Sequence, residues 1–235
     1  MNINKANVYD LENAVIASGY PKQPQYIERL MNDITQKDYE RAIRLACVPG
    51  AGTGHDNFLK GILVSMDVTA TLKWWIQAQR YSHFTIVSSM STMHMAEHMP
   101  LRDMCKRLPE PMLSALVHMQ DDCINGRISR EDFLYALPVG LEYTARVTTN
   151  YMQLKTMYRQ RRNHRLQEWQ QFCDWCEGLS HAEWIVGKEF FSKGQSAPFD
   201  VPHVDSSASD IDHPADDEDH PVMSQEVTVE RVGFP

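Results

Sequence analysis

The sequence predicts an α+β chain with a small antiparallel sheet near the N-terminus, a mostly helical remainder, and a disordered acidic C-terminal tail. Three observations carry this. Runs with β-branched alternation fall before residue 70. Amphipathic segments at helical spacing follow one another after Pro100. The charge is also segregated. Of a net charge of −8, residues 195–235 hold ten acids against one base, Arg231, which leaves residues 1–194 at a net +1. That acidic stretch is rich in Pro, Ser and Asp and lacks the apolar content to order itself. The expected organisation is a folded domain over 1–194 and a tail over 195–235.

At 235 residues the chain is long enough for one sizeable core. No apolar run approaches the ~20 residues of a membrane span, and MNINKANVYD lacks the apolar stretch of a secretory signal. Five cysteines without framework spacing point to a reducing compartment, so the expectation is cytoplasmic. A near-neutral body gives no electrostatic argument for nucleic acid as a partner.

Taken in order, residues 7–20 read as a strand and a short helix closed by Gly19 and Pro21. Gln25 to Ala46 reads as helix in two pieces, with Ile27, Leu30 and Ile34 at helical spacing. Residues 48–54, VPGAGTG, form a loop without the Lys-Ser/Thr of a phosphate loop. Gly61 to Thr69 alternates as a strand. Thr71 to Arg80 reads as helix, with Leu72, Trp75, Ile76 and Gln79 on one face. Tyr81 to Ala96 contains no Asp, Glu, Lys or Arg but seven hydroxyls, which suits a loop folding over a ligand or a Ser-rich turn into a helix. PMLSALVHMQDDCING and SREDFLYAL are amphipathic helices, the second started by Ser129 with Asp132. RLQEWQQFCDWCEGL is another, with Leu166, Trp169, Phe172, Cys173 and Cys176 inward. Trp184, Ile185, Phe190 and Phe191 end the ordered body.

Leu141 to Arg162 reads as one long helix. On it Tyr143, Val147, Asn150, Leu154, Met157 and Arg161 fall within about 80° of one another. An amide and a guanidinium in an apolar stripe need partners. Either Arg161 meets a core carboxylate or reaches solvent, or Asn150 and Arg161 face an anionic ligand. Two further clusters carry possible chemistry. His94, Glu97 and His98 form His-x-x-Glu-His, a zinc pattern with Glu97 as general base, though helix-end histidines give the same spacing. Cys173 and Cys176 form a lone CxxC inside an apolar face, where buried core thiols are the ordinary outcome.

Arg130 to Trp169 resembles the flavin-dependent thymidylate synthases (ThyX). Members carry an ARxxLP element, a Thr-x-Asn helix, and an Arg followed after a short loop by HAQ-x-E. Leu137-Pro138, Thr148, Asn150, Arg161 and Gln167 stand in that order and spacing. Upstream, HDNFLKGI is similar to the family's HESFLEH, with His55 in register. The likeness runs over about residues 7–177. The signature loop differs. The family's Arg-His-Arg becomes Tyr81, Ser82 and His83, its Asn-Glu becomes Ser88 and Ser89, and its closing Arg-Tyr becomes Met93 and His94; only Ser91 is kept. Leu134 and Met152 replace two further arginines, and Arg80 stands one position from the loop.

The resemblance implies a ThyX-like fold and a homotetrameric cytoplasmic flavoprotein methyltransferase of nucleotide biosynthesis, with FAD between subunits and NADPH as reductant. It implies conversion of dUMP to dTMP with methylenetetrahydrofolate. Arg161 would then be the catalytic group that polarises the pyrimidine. His55, Asn57, His83, Ser89, Asn150 and Thr156 would contact flavin, and Arg80, Ser89 and Ser91 would join Arg161 around dUMP. Two alternatives stay open. One is a nucleotide- or partner-binding scaffold on the same fold, favoured by the uncharged loop. The other is a zinc hydrolase built on His94, Glu97 and His98.

Overall fold

The computed structural model describes residues 1–22, 34–48 and 54–187. The expectations for residues 25–33, for most of the 48–54 loop, for Phe190 and Phe191, and for the acidic tail lie outside them.

Among the described residues four strands form one antiparallel sheet: β1 (Asn2–Tyr9), β2 (Leu63–Thr71), β3 (Thr85–Ser89) and β4 (Glu142–Asn150), in the order β1-β2-β4-β3. The two central strands follow period-2 patterning. Val64, Met66, Val68 and Ala70 of β2, with Ala145, Val147 and Thr149 of β4, turn inward and are buried. Ser65, Asp67 and Thr69, with Thr144, Arg146 and Thr148, turn outward. There Thr69 and Thr144 share a hydrogen bond (2.8 Å), and Arg146 pairs with Asp67 (3.1 Å). Arg146 holds the Asp67 carboxyl below its usual range. The first strand carries an irregularity between Asn4 and Asn7, where Lys5 takes φ 48.

Ten α-helices are described: α1 (Leu11–Ala17), α2 (Gln36–Ala46), α3 (Leu72–Ala78), α4 (Thr92–Met95), α5 (Leu101–Met104), α6 (Glu110–Ile124), α7 (Arg130–Tyr135), α8 (Tyr151–Arg161), α9 (Gln167–Glu177) and α10 (Glu183–Val186). The main core lies between the inner sheet face and α3, α8, α9 and α10. Its centre is aromatic. The Trp74 ring lies 5.0 Å from Trp75, 4.9 Å from Trp169 and 5.8 Å from Phe172, with tilted or edge-on geometries that suit ring quadrupoles. A second core joins α5, α6 and α7 through Leu101, Leu113, Leu116 and Phe133, between β3 and β4 in sequence.

The α+β class, the strand at 63–71 and the inward face of α9 agree with the sequence reading; of that face only Leu166 is half-buried. Ser129 caps α7 as expected, accepting from the Asp132 amide.

Three expectations are corrected. The 141–162 segment is not one helix, and the chain after Pro100 is not almost wholly helical: nine residues there form β4, and α8 starts only at Tyr151. A spacing of four fits both periods, so Tyr143 and Val147 matched a helical stripe while the β-branched run around them alternates as a strand. Pairing with β2 on one side and β3 on the other decides the outcome. Second, Tyr81–His94 is neither one continuous loop nor a simple turn into a helix. It contains β3, whose hydroxyls sit on an exposed edge strand, and α4, which Ser91 caps by accepting from the His94 amide. Third, α3 buries Trp74, Trp75 and Ala78, whereas Ile76 is 58% exposed.

Candidate functional site

The β4–α8 connection is built by Asn150. Its Oδ1 accepts from the Gln153 amide (2.8 Å) and so caps the first turn of α8. The side-chain amide of Asn150 keeps its N–H donors. At the helical rise α8 then carries the chain about 16 Å from Asn150 to Arg161.

Two charged residues of α8 meet different fates. Lys155 is buried at 2% exposure; its Nζ donates to Asp56 Oδ2 (2.6 Å) and to the Ala46 carbonyl (2.6 Å). Asp56 lies between His55 and Asn57, which are both exposed. This ion pair, with the 3₁₀ turn Asn57–Lys60 packed on α8, holds the 55–60 segment beside the helix. Sequence reasoning passed over the pair. The signal was a lysine on the same helical face as Tyr151, Leu154 and Tyr158.

At the other end, Arg161 is half-buried and has no carboxylate partner among the described residues. Neutral groups hold it. Its Nε–H donates to the Tyr81 hydroxyl oxygen (2.7 Å), and Nη1 donates to Gln77 Oε1 (3.4 Å). The guanidinium carbon lies 4.7 Å from the centre of the Trp169 ring and 5.5 Å from that of Tyr81. Gln77 Oε1 also accepts from Trp169 Nε1 (2.9 Å), and the Tyr81 hydroxyl donates to Gln160 Oε1 (2.9 Å). Of five N–H donors on Arg161, two are used and three remain. Burial, and then the charge of Arg161, keep His164 below the usual imidazole range. Arg162, the next residue, is the opposite case: it pairs with Asp174 (2.6 Å) and Glu177 (3.2 Å).

The other residues singled out from the sequence divide into groups. His83 donates its backbone N–H to Gln153 Oε1 (3.3 Å), so its exposed ring lies beside the first half of α8. Thr156 donates its hydroxyl to the Met152 carbonyl within α8 (3.1 Å). Arg80 is exposed, next to the Tyr81–Arg161 contact. Ser89 and Ser91 lie at the far end of β3, about 13 Å from its start at the strand rise. There Ser89 meets the Tyr143 hydroxyl, and Ser91 caps α4. Within one chain the structure therefore gathers His55, Asn57, His83, Asn150 and Thr156 around the first half of α8. Arg80 and Arg161 lie at its end, and Ser89 and Ser91 lie elsewhere.

The zinc arrangement is not assembled. The helix α4 stops at Met95, a 3₁₀ turn carries Ala96–His98, and the i,i+4 register of His94 and His98 is lost. Glu97 pairs with Arg130, and the His94 ring meets the Ser91 hydroxyl (2.8 Å). No three metal-binding side chains converge among the described residues. Cys173 and Cys176 are core thiols. Burial pushes Cys173 up to about 12 and Cys176 well above its ordinary value, so neither is a ready thiolate.

Chemically, the Arg161 cluster is a cation whose charge no acid among the described residues neutralises, held in a fixed plane with donors to spare. Such a group can stabilise negative charge building on a flat heterocycle.

No protein-family model matches the chain, and no characterised protein matches it by sequence. Solved structures do match it in shape. One is a crystal structure of the flavin-dependent thymidylate synthase ThyX from Helicobacter pylori complexed with FAD and dUMP. It superposes with a TM-score of 0.62 at 15% identity, over 80% of this chain and 99% of that one. A second crystal structure of Helicobacter pylori ThyX with FAD and dUMP gives 0.60 at 16% identity, over 80% and 98%. At these identities the likeness establishes a ThyX-like fold. No helix among the described residues is long and apolar enough to cross a membrane.

Proposed function

We propose that this chain is a divergent flavin-dependent thymidylate synthase that binds dUMP against Arg161 and methylates it to dTMP. Support comes from the fold, from neighbours whose structures hold FAD and dUMP, and above all from a half-buried guanidinium with no acid partner among the described residues. In the proposed reaction C5 of the pyrimidine forms a bond to the one-carbon unit of methylenetetrahydrofolate and loses its proton. Two electrons then complete the methyl group and release tetrahydrofolate. FAD, if bound and reduced by NADPH, would be the source of those electrons as a hydride. Arg161 carries the negative charge that builds on the pyrimidine carbonyl edge, with no protein nucleophile.

Side chains with unused donors fit the flavin in this reading. His55, Asn57 and His83 are exposed without side-chain partners among the described residues, and the Asn150 amide nitrogen is uncommitted. With Thr156 and Ser89 they would hold the flavin's polar edges. Arg80 and Ser91 would hold phosphate. Ser89 and Ser91 stand apart from Arg161 in one chain, so in this reading a second subunit supplies them, in a homotetramer.

A second reading has one observation in its favour. The loop position where the resembling family begins with arginine is Tyr81, and its hydroxyl is occupied by Arg161. A binding scaffold without turnover would tolerate that exchange.

The test is Arg161→Ala. In the enzyme reading dUMP affinity weakens by about 1.5–3 kcal/mol, the worth of a charge-assisted hydrogen bond, while the melting temperature barely moves. Arg161→Lys recovers only part, because a point charge lacks the planar fork. A fall in melting temperature with unchanged affinity contradicts the proposal, as does a wild type that binds no dUMP at millimolar concentration.

A further inference from the structure

We infer that Tyr81 is the positioning residue of Arg161, holding the guanidinium in place without neutralising it; the inference rests on the dUMP reading above. The hydroxyl of Tyr81 stands in a chain of defined polarity. Arg161 Nε–H donates to the phenol oxygen at 2.7 Å, and the phenol donates in turn to Gln160 Oε1 at 2.9 Å. With its one hydrogen committed to Gln160, the phenol presents lone pairs to Arg161. On the other side Gln77 Oε1 accepts from both Trp169 Nε1 and Arg161 Nη1. Both partners can only donate, so the amide orientation of Gln77 is forced.

The rings complete the clamp. Tyr81 stands edge-on to Trp169, 6.1 Å between centres at 71°, and the guanidinium carbon lies near both rings. Trp169 is fully buried and anchored in the aromatic core, so the plane of Arg161 inherits the rigidity of that core. A carboxylate would fix a guanidinium equally well, but it would cancel the charge a ligand needs. A phenol, an amide and an indole fix it and leave the charge whole. The aromatic substitution at the start of the loop thus has a use: the chain has lost a cation there and gained a holder for the cation that remains.

The experiment is Tyr81→Phe, which keeps the ring and removes the hydroxyl. In the unliganded wild type, nitrogen-15 NMR should show the Arg161 Nε–H as a slowly exchanging signal, assigned by its absence in Arg161→Lys. In Tyr81→Phe that signal should be lost to exchange with water, and the dUMP dissociation constant should rise about threefold to tenfold, the worth of one hydrogen bond. The melting temperature should stay within about 2 °C. An unchanged Nε–H signal overturns the inference, and so does a lost signal with unchanged dUMP affinity. A wild type that binds no dUMP overturns the function reading instead, and the Nε–H signal alone then decides whether Tyr81 holds Arg161.

Discussion

Arg161 and Arg162 are neighbours in sequence with opposite environments, and the contrast makes a control. Arg162 bridges Asp174 and Glu177 and covers the Tyr158 ring at 5.8 Å. Its side chain is 39% exposed, so Arg162→Ala is expected to cost only about 0.2–1 kcal/mol of stability and to leave dUMP affinity unchanged, measured by urea titration and calorimetry. Sequence spacing singled out Arg161 but could not name its holders: Gln77 and Tyr81 come from α3 and the turn that closes it, Trp169 comes from α9, and only the fold brings them to Arg161. Lys155 carried a signal in its place on the buried face of α8, but its partner did not. Its partner Asp56 is 99 residues away, and buried ion pairs leave no local pattern. That pair yields a sharper forecast. Lys155→Met alone strands a buried carboxylate, one of whose oxygens already lacks a hydrogen bond, and should cost about 3–5 kcal/mol. Lys155→Met combined with Asp56→Leu should recover most of that loss. If the double variant is as unstable as the single one, the cost comes from packing around the lysine stem.

At the scale of elements, the sequence was most readable where one period stood alone. The inward face of α9 was plain because Trp169, Phe172, Cys173 and Cys176 recur at helical spacing and nothing else competes. The β4–α8 boundary was not, because the strand runs into the helix with only Asn150 as a marker, and that residue also fitted the imagined stripe. The packing of α8 against α9 and the turn after it is expected to weaken in alkali. Tyr151 donates to the Ser180 carbonyl (2.6 Å) and Tyr158 to Glu177 (2.8 Å), and burial raises both phenols far above their ordinary value. Burial does the same to Cys173 and Cys176. All four hold their protons more tightly folded than unfolded. Each contribution is therefore fully present below the group's ordinary value, 9.0 for the thiols and 10.0 for the phenols, and is lost progressively as pH rises above it; for Cys173 that loss runs up to about 12. The melting temperature should fall steadily above pH 9, and less steeply in Cys173→Ala. A flat profile to pH 11 would mean that these groups are not shielded from water.

For the whole molecule, composition and patterning gave the α+β class, and the order of the residues around Arg161 pointed to the family likeness that the solved structures bear out as a fold. Charge segregation gave the expected boundary near residue 195, which lies outside the described residues. The single-chain structure leaves the sheet's outer face polar, with Ser65, Asp67, Thr69, Thr144, Arg146 and Thr148 side by side, and strands Ser89 and Ser91 away from Arg161. If assembly unites them, light scattering should report a tetramer, and a dilute monomer that still binds dUMP would place the whole site within one chain. The most direct measurement follows the C5 hydrogen itself. Wild-type protein is mixed with FAD, NADPH, methylenetetrahydrofolate and dUMP carrying tritium at C5, and both tritium in water and dTMP are counted. The account predicts both products in equal amount, dependent on FAD and abolished in Arg161→Ala; no tritium release and no dTMP from protein that binds both FAD and dUMP would contradict it.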